Sequence, residues 1–324
     1  MSNKEIYRKT LTFSVRRLLF DVITFIVFFG IMFLGFFIGD KAGDAGLVGL
    51  IIGVIIAFIV LWLFSRFISY TFSAGQICMM TTGITEGSLP DDVYAEGKRR
   101  VKERFGTVAL YFAATNTIRG IFREIGRGIS SIGRAVGGDA GDAAGSAIST
   151  VVDTLVRYLS DCCLGWVFFR KDENAAKATL EGSVLFFKHG KTFAKNMGRI
   201  FGMGLVSLLL IGGAFTAVFY AIFSNFKDEL ALIAQDISAT ASADSSTFVT
   251  LLENPTTLLI VVSAIAGIIL WSVLHSAFVR PFILAGVLKN YLVSGMEDIP
   301  TETSYAEVAS KSPKFAKLMK ETTC

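Results

Sequence analysis

The sequence is short of the residues from which most enzymes are built. Its 324 residues include only 2 histidines, His189 and His275, and 4 cysteines, Cys78, Cys162, Cys163 and Cys324. Two histidines are too few for a familiar metal or acid–base constellation, and the cysteines have neither metal-site spacing nor a disulfide framework. Cys162 and Cys163 are adjacent, but in an apolar setting they read as buried thiols rather than a redox pair. No GxxxxGK[ST] loop occurs, and no GxGxxG follows a strand. The residues therefore point to no catalytic site, no metal, no cofactor and no nucleic-acid partner. Charge is also missing over long stretches. The run "GLVGLIIGVIIAFIVLWLFS" (46–65) has none, and "LLFDVITFIVFFGIMFLGFFIG" (18–39) has Asp21 alone.

What fills the sequence instead is apolar. Residues of that kind make up 52% of the chain, 29 of them phenylalanine, and the mean hydropathy is +0.58. A soluble domain cannot hide so much apolar surface. A helix of about 20 apolar residues crosses a hydrocarbon core roughly 30 Å thick. Besides the two runs above, "IFGMGLVSLLLIGGAFTAVFYAIF" (200–223) and "TTLLIVVSAIAGIILWSVLHSAF" (256–278) are long enough. The expected fold is an all-α polytopic membrane protein with four transmembrane helices. The first run is too long for a cleaved signal peptide.

Lysine and arginine set the orientation, because short basic loops stay cytoplasmic. Lys4, Arg8, Lys9, Arg16 and Arg17 precede the first span, whereas "DKAGDAG" (40–46) and 224–255 are acidic. Of 31 Lys and Arg residues, only Lys41 and Lys227 then face outward. Both termini are expected inside, in a bacterial cytoplasmic membrane, with anionic inner-leaflet headgroups as partner.

The spans also resemble one another. At a shift of 182 residues, Lys9 meets Lys191, Thr10 Thr192, Arg17 Arg199, Gly30 Gly212 and Phe33 Phe215. "LWLFSRFISYTFSAGQ" (61–76) echoes "LWSVLHSAFVRPFILAG" (270–286), and each is trailed by a glycine and a proline, Gly87 and Pro90 or Gly295 and Pro300. Such matches at constant register describe two similar two-span units related by an axis along the membrane normal. The expected parts are 1–99 and 191–300 as those units, 100–190 as a connector, and 301–324 as a cytoplasmic tail.

In the connector, "IRGIFREIGRGISSIGRAVGG" (118–138) gathers Ile118, Ile121, Phe122, Ile125, Ile129, Ile132 and Val136 on one helical face. Arg119, Arg123, Arg127 and Arg134 lie nearly opposite. Such a helix suits the inner-leaflet interface, arginines at headgroups and Ile/Phe in the acyl boundary. The alternative of six spans, using 105–117 and 149–169, would put Asp153, Arg157 and Asp161 in hydrocarbon, at about 2.5–3.5 kcal/mol each near its centre. Interfacial or re-entrant helices are therefore expected. Gly133, Gly137, Gly141 and Gly145 follow at a spacing of four, which on a helix makes a packing stripe and in a loop a flexible linker. With Gly202, Gly204 and Gly212 they are the candidate helix-packing positions. Asp21, Trp271, His275 and Arg280 are the candidate lining of a solute pathway; the alternative reading pairs Asp21 with Arg17 one turn back and makes His275 an interfacial residue and Trp271 a lipid-facing or belt aromatic.

The stretch "DCCLGWVFFRKDENAAKATLEGSVLFFKHGKTF" (161–193) resembles the C-terminal part of choline transporter-like proteins. The shared features are Cys162, Cys163, Asn174, Ala175, Lys177, Gly182, Lys188 and Gly190, and the resemblance covers 160–320 at best. It implies passive movement of a quaternary amine. The chain lacks the family's large outer loop and has fewer spans, so no substrate residue is carried over. The expected function is a non-energised transporter or channel for a small solute, assembled as a homo-oligomer. The alternative is a membrane scaffold or curvature-inducing protein without transport activity.

Overall fold

The computed structural model describes the backbone of all residues except 44–45, 137–140, 189, 229–230, 233–253, 301 and 324. Side chains are described for those residues apart from 47, 66–69, 125–136, 141–150, 187, 190–195, 197, 302–303 and 323. The described chain is helical, with no strand. In order, the helices are α1 (Asn3–Lys41), α2 (Gly46–Ile68), α3 (Gly75–Thr85), α4 (Val93–Phe105), α5 (Val108–Val136), α6 (Gly141–Phe169) and α7 (Ala175–Lys188). They continue with α8 (Gly190–Ser207), α9 (Gly213–Phe223), α10 (Pro255–Leu274), α11 (Arg280–Glu297), α12 (Glu302–Lys311) and α13 (Pro313–Thr323). Three π-helical turns, Ser69–Ala74, Leu208–Gly212 and His275–Val279, join α2 to α3, α8 to α9 and α10 to α11.

Local chemistry explains the ends. Ser2 Oγ accepts the Glu5 N–H at the start of α1, Asp92 that of Ala95 at α4, and Asn254 those of Thr256 and Thr257 at α10. These caps satisfy donors that a helix start leaves unpaired. Gly87 (φ +72) and Gly106 (φ +65), following α3 and α4, have positive φ angles that glycine adopts at little cost.

Among the described residues, four helical stretches are long and apolar enough to cross a membrane: Asn3–Lys41, Val48–Thr85, Gly198–Phe226 and Pro255–Glu297. Their bulky side chains face outward; Phe33 is 73%, Leu34 62%, Ile51 61% and Leu210 69% exposed. Surface of this kind is covered only by hydrocarbon. The chain is a multi-pass integral membrane protein.

By compactness it divides into two units, Met1–Gly198 with Pro281–Cys324, and Arg199–Arg280. In the first, α1 and α2 form a hairpin whose backbones touch. A Cβ added to Gly35 would stand 2.5 Å from the Gly49 carbonyl oxygen and 2.9 Å from Gly53 Cα, and one on Gly49 would collide with the Gly35 carbonyl. Gly35 and Gly39, and Gly49 and Gly53, are two GxxxG pairs facing each other. The charged half of this unit is a packed helical body. The Phe13 ring lies in a slot between Gly75 and Gly97 and meets Tyr94, over which Arg16 is stacked at 3.8 Å. Trp166 on α6 is fully buried against Gly295 of α11, and its indole N–H donates to Glu181 at 3.0 Å. Tyr291 of α11 donates to the Gly182 carbonyl of α7.

Of the face expected in the acyl boundary, the described residues within 118–122 are packed in this body. Ile118, Ile121 and Phe122 of α5 are at most 2% exposed, and Phe122 meets Phe186 edge-on at 5.8 Å. The ring expected in the acyl boundary is instead in protein, because Glu124 ties the same turn to α13 through Ser312 and the Lys314 N–H.

In the second unit α9 and α10 pair. Gly267 lies directly against Thr216, and Gly212 against Trp271.

Replacing Gly35 by Leu should force the α1–α2 contact apart and destabilise the hairpin by about 1–3 kcal/mol. Gly30, around which a Cβ meets nothing within 4 Å, should accept Leu without loss. Melting temperatures of the two purified variants check this, and equal shifts would contradict the contact.

Candidate functional site

Three polar side chains of the apolar second unit meet at Ser207, the last residue of α8. Its hydroxyl donates to the Gly204 carbonyl at 2.8 Å, accepts the Trp271 indole N–H at 3.2 Å, and lies 3.1 Å from His275 Nδ1. Trp271 and His275 are one turn apart, with ring centroids 5.0 Å from each other. A hydroxyl has one hydrogen. When that hydrogen is given to Gly204, the imidazole carries its own on Nδ1, and in the neutral ring Nε2 is left as an acceptor. Two π turns begin here, at Leu208 and at His275. Twenty residues of α10 separate Pro255 from His275, roughly 30 Å of helix. The cluster thus marks the end of the crossing opposite Pro255.

Of the residues expected along a pathway, Trp271 and His275 are brought together. Asp21 belongs to the other compact unit, where Arg17 is 3.8 Å away. Arg280 follows the π turn and is half-buried. Ser207 was not anticipated, although a lone hydroxyl inside "GLVSLLLIGG" was the available signal. Among the expected packing glycines, Gly212 touches Leu208 and Trp271, whereas a Cβ on Gly202 or Gly204 would meet nothing within 4 Å. Among the described residues, nothing packs over those two positions. Gly133, Gly141 and Gly145 lie on helices, but their surroundings, and Gly137 itself, fall outside the described residues. Arg119 and Arg123 are exposed; the side chains of Ile125, Arg127, Ile129 and Arg134 are outside the described residues.

The first unit holds a second concave site, of about 340 Å³, lined by Cys78, Thr82, Arg99, Arg100, Glu103, Arg104, Phe168 and Lys171. It lies between α3, α4 and the turn after α6. Glu96 accepts from Arg99 at 2.6 and 2.7 Å and from Arg100 at 2.7 Å. Glu86 accepts from Lys171 at 2.8 Å and Arg100 at 3.1 Å. Hydrogen bonds from Arg99 and then Arg100 pull the Glu96 carboxyl down to about 2. Burial alone would raise Glu86, yet the bonds from Lys171 and Arg100 hold it below the usual range. Arg104 differs from its neighbours. It donates to the Glu173 and Arg170 carbonyls at 2.8 and 3.0 Å, and burial lowers its pKa. Deep in α6, burial pushes the Cys163 thiol up to about 12 and Cys162 well above its ordinary value, which leaves both inert.

Compared with known protein families, curated proteins and solved structures, the chain matches none.

A carboxylate whose folded pKa is depressed stabilises fully above its ordinary value, here 4.5, and loses that contribution as pH falls toward the folded value of about 2. Melting temperature should therefore decline between those limits as Glu96 protonates, with Glu86 acting in the same direction below its ordinary value. Glu96→Gln should flatten part of that decline while changing little at its foot. An unchanged profile in the variant would show that the α4 network is not the titrating element.

Proposed function

We propose that the protein moves a small solute passively across the bilayer, as an assembly of several copies, with both termini and the helical body cytoplasmic. The observation that carries this reading is the Ser207–Trp271–His275 cluster. Hydroxyl, indole and imidazole meet at one end of an otherwise apolar hairpin, beside two π turns, a helical irregularity that frequently accompanies functional sites. Polar side chains at the mouth of an apolar crossing are the first groups that a solute entering it would meet.

Two features favour passive movement by an assembly. Helices α2, α9 and α10 carry no ionised side chain through their apolar centres, and Asp21 has Arg17 beside it, so no free charge is on offer for proton or sodium coupling. Within each hairpin the helices are in backbone contact, at Gly35 and Gly49 or at Gly267 and Thr216. That leaves no passage between the two members of a pair. A conduit then needs walls from elsewhere, and the open faces at Gly202 and Gly204 suit close approach by a second copy. The resemblance of 160–320 to choline transporter-like proteins suggests a quaternary amine, for which the Trp271 face offers cation–π attraction. Exposed Arg119 and Arg123 would meet anionic headgroups. Burial of Phe122 removes the leading contact of a curvature wedge and so weighs against the scaffold reading.

Liposomes containing purified protein should pass choline, with potassium and chloride as comparison solutes, and Ser207→Ala with His275→Ala should lower that flux about tenfold or more. Absence of flux for all three, with tubulated vesicles, would replace transport by scaffolding. Orientation is read separately by thiol labelling in a Cys324→Ser background. Lys227→Cys should label from outside and Lys314→Cys only from inside; labelling from one side would refute the topology.

A further inference from the structure

The cavity on the helical body has the makings of an anion site that the transport reading does not use. Its wall presents Arg99, Arg100, Arg104 and Lys171 against one lining carboxylate, Glu103. Counting the rim carboxylates Glu86 and Glu96, four cations face three anions, and the surplus is at Arg104. Its two terminal nitrogens bind main-chain carbonyls, and its Nε, shielded from solvent, has no acceptor among the described residues. That guanidinium is fixed in place but not neutralised. Arg99 and Lys171 stand at the mouth, 56% and 58% exposed, and Glu103 beside Arg99 is 57% exposed. An incoming anion can displace the Glu103 carboxylate at the cost of a single exposed ion pair, which solvent already weakens. Thr82 adds a hydroxyl and Phe168 an apolar wall.

We propose that this cavity, between α3, α4 and the turn after α6, binds a phosphate group, with Arg99 and Lys171 as its ligands, the fixed Arg104 guanidinium as an adjoining positive charge and Glu103 as the group it displaces. Guanidinium and ammonium donors in one concave site suit the several acceptor oxygens of a phosphate. The group could belong to a small soluble phosphate or to a lipid headgroup. Cys78 on the cavity floor is 13 residues beyond Ser65, the end of the uncharged run, which is roughly 20 Å of helix. At that depth the headgroup layer is largely passed, so the soluble source is the one expected.

Binding is measured by calorimetry on the full-length protein in nanodiscs. One arm titrates inorganic pyrophosphate into zwitterionic discs, and the other compares discs of phosphatidylglycerol with discs of phosphatidylcholine by the melting temperature of the protein. Saturable pyrophosphate binding is expected, weakened about tenfold or more in Arg99→Gln/Lys171→Gln and strengthened in Glu103→Gln. Arg99 and Lys171 also bond Glu96 and Glu86, so the double variant should melt lower than the parent. Glu103→Gln, at the exposed end of the network, should melt as the parent does and still bind more tightly. Lys171→Gln alone gives the weakened reading with the Arg99 bonds intact. A response only to phosphatidylglycerol, abolished by the same substitutions, would assign the site to a headgroup. No response in either arm, or one that survives loss of Arg99 and Lys171, would overturn the proposal. Flux is not the readout, so this outcome is independent of the transport reading.

Discussion

In hydrocarbon no water drives two helices together, so contact between them has to come from close packing of atoms. This chain meets that constraint with glycine. Gly35, Gly49 and Gly53 let α1 and α2 touch backbone to backbone, and Gly267 does the same against Thr216. The helical body uses the same device in another form, with a large ring on one helix seated over a glycine on the next. Phe13 fills the slot between Gly75 and Gly97, Trp166 lies on Gly295, and Cys163 and Tyr291 close on Gly182. Each pair fixes the register of two helices, since a shift by one residue would bring a side chain where only hydrogen fits.

Buried polar groups then complete what packing begins. Gln76 on α3 donates to the Thr10 carbonyl at 3.3 Å and to Ser14 Oγ at 3.1 Å, linking the start of the chain to the end of the second span. Glu181 is 3% exposed and would be a costly charge alone. It receives the Trp166 indole N–H and Arg170 at 2.9 and 3.2 Å. Removing Trp166 would therefore leave both a cavity and a weakened ion pair, so the core and the polar network fail together.

The membrane class and the four spans were legible because length and apolarity are properties of a sequence alone. The glycine contacts were only half legible. A spacing of four drew attention to Gly133–Gly145, while the same spacing at Gly35/Gly39 and Gly49/Gly53 passed unnoticed inside apolar runs. Spacing identifies a surface, but which surface is used depends on what comes to face it. The π turns left no mark in the sequence, since an added residue in a helical turn changes no composition. Ser207 escaped for a related reason. Its importance lies in Trp271 and His275, 64 and 68 residues away, and nothing local announces a partner at that distance.

Phe122 shows why amphipathicity alone could not assign α5 its partner. Burial of an apolar face gains about 25 cal/mol per Å² whether the face enters acyl chains or a protein core. The hydrophobic term is thus nearly indifferent between the two, and the choice falls to directional contacts. Here they favour protein. Glu124, two residues on, accepts from the Ser312 hydroxyl at 2.6 Å and the Lys314 N–H at 3.0 Å, placing a carboxylate at the start of α13, where the helix leaves donors unpaired. Phe186 receives the Phe122 ring edge-on. Lipid could offer neither, so a helix written like a membrane peptide over this turn is held by one acid and one aromatic ring.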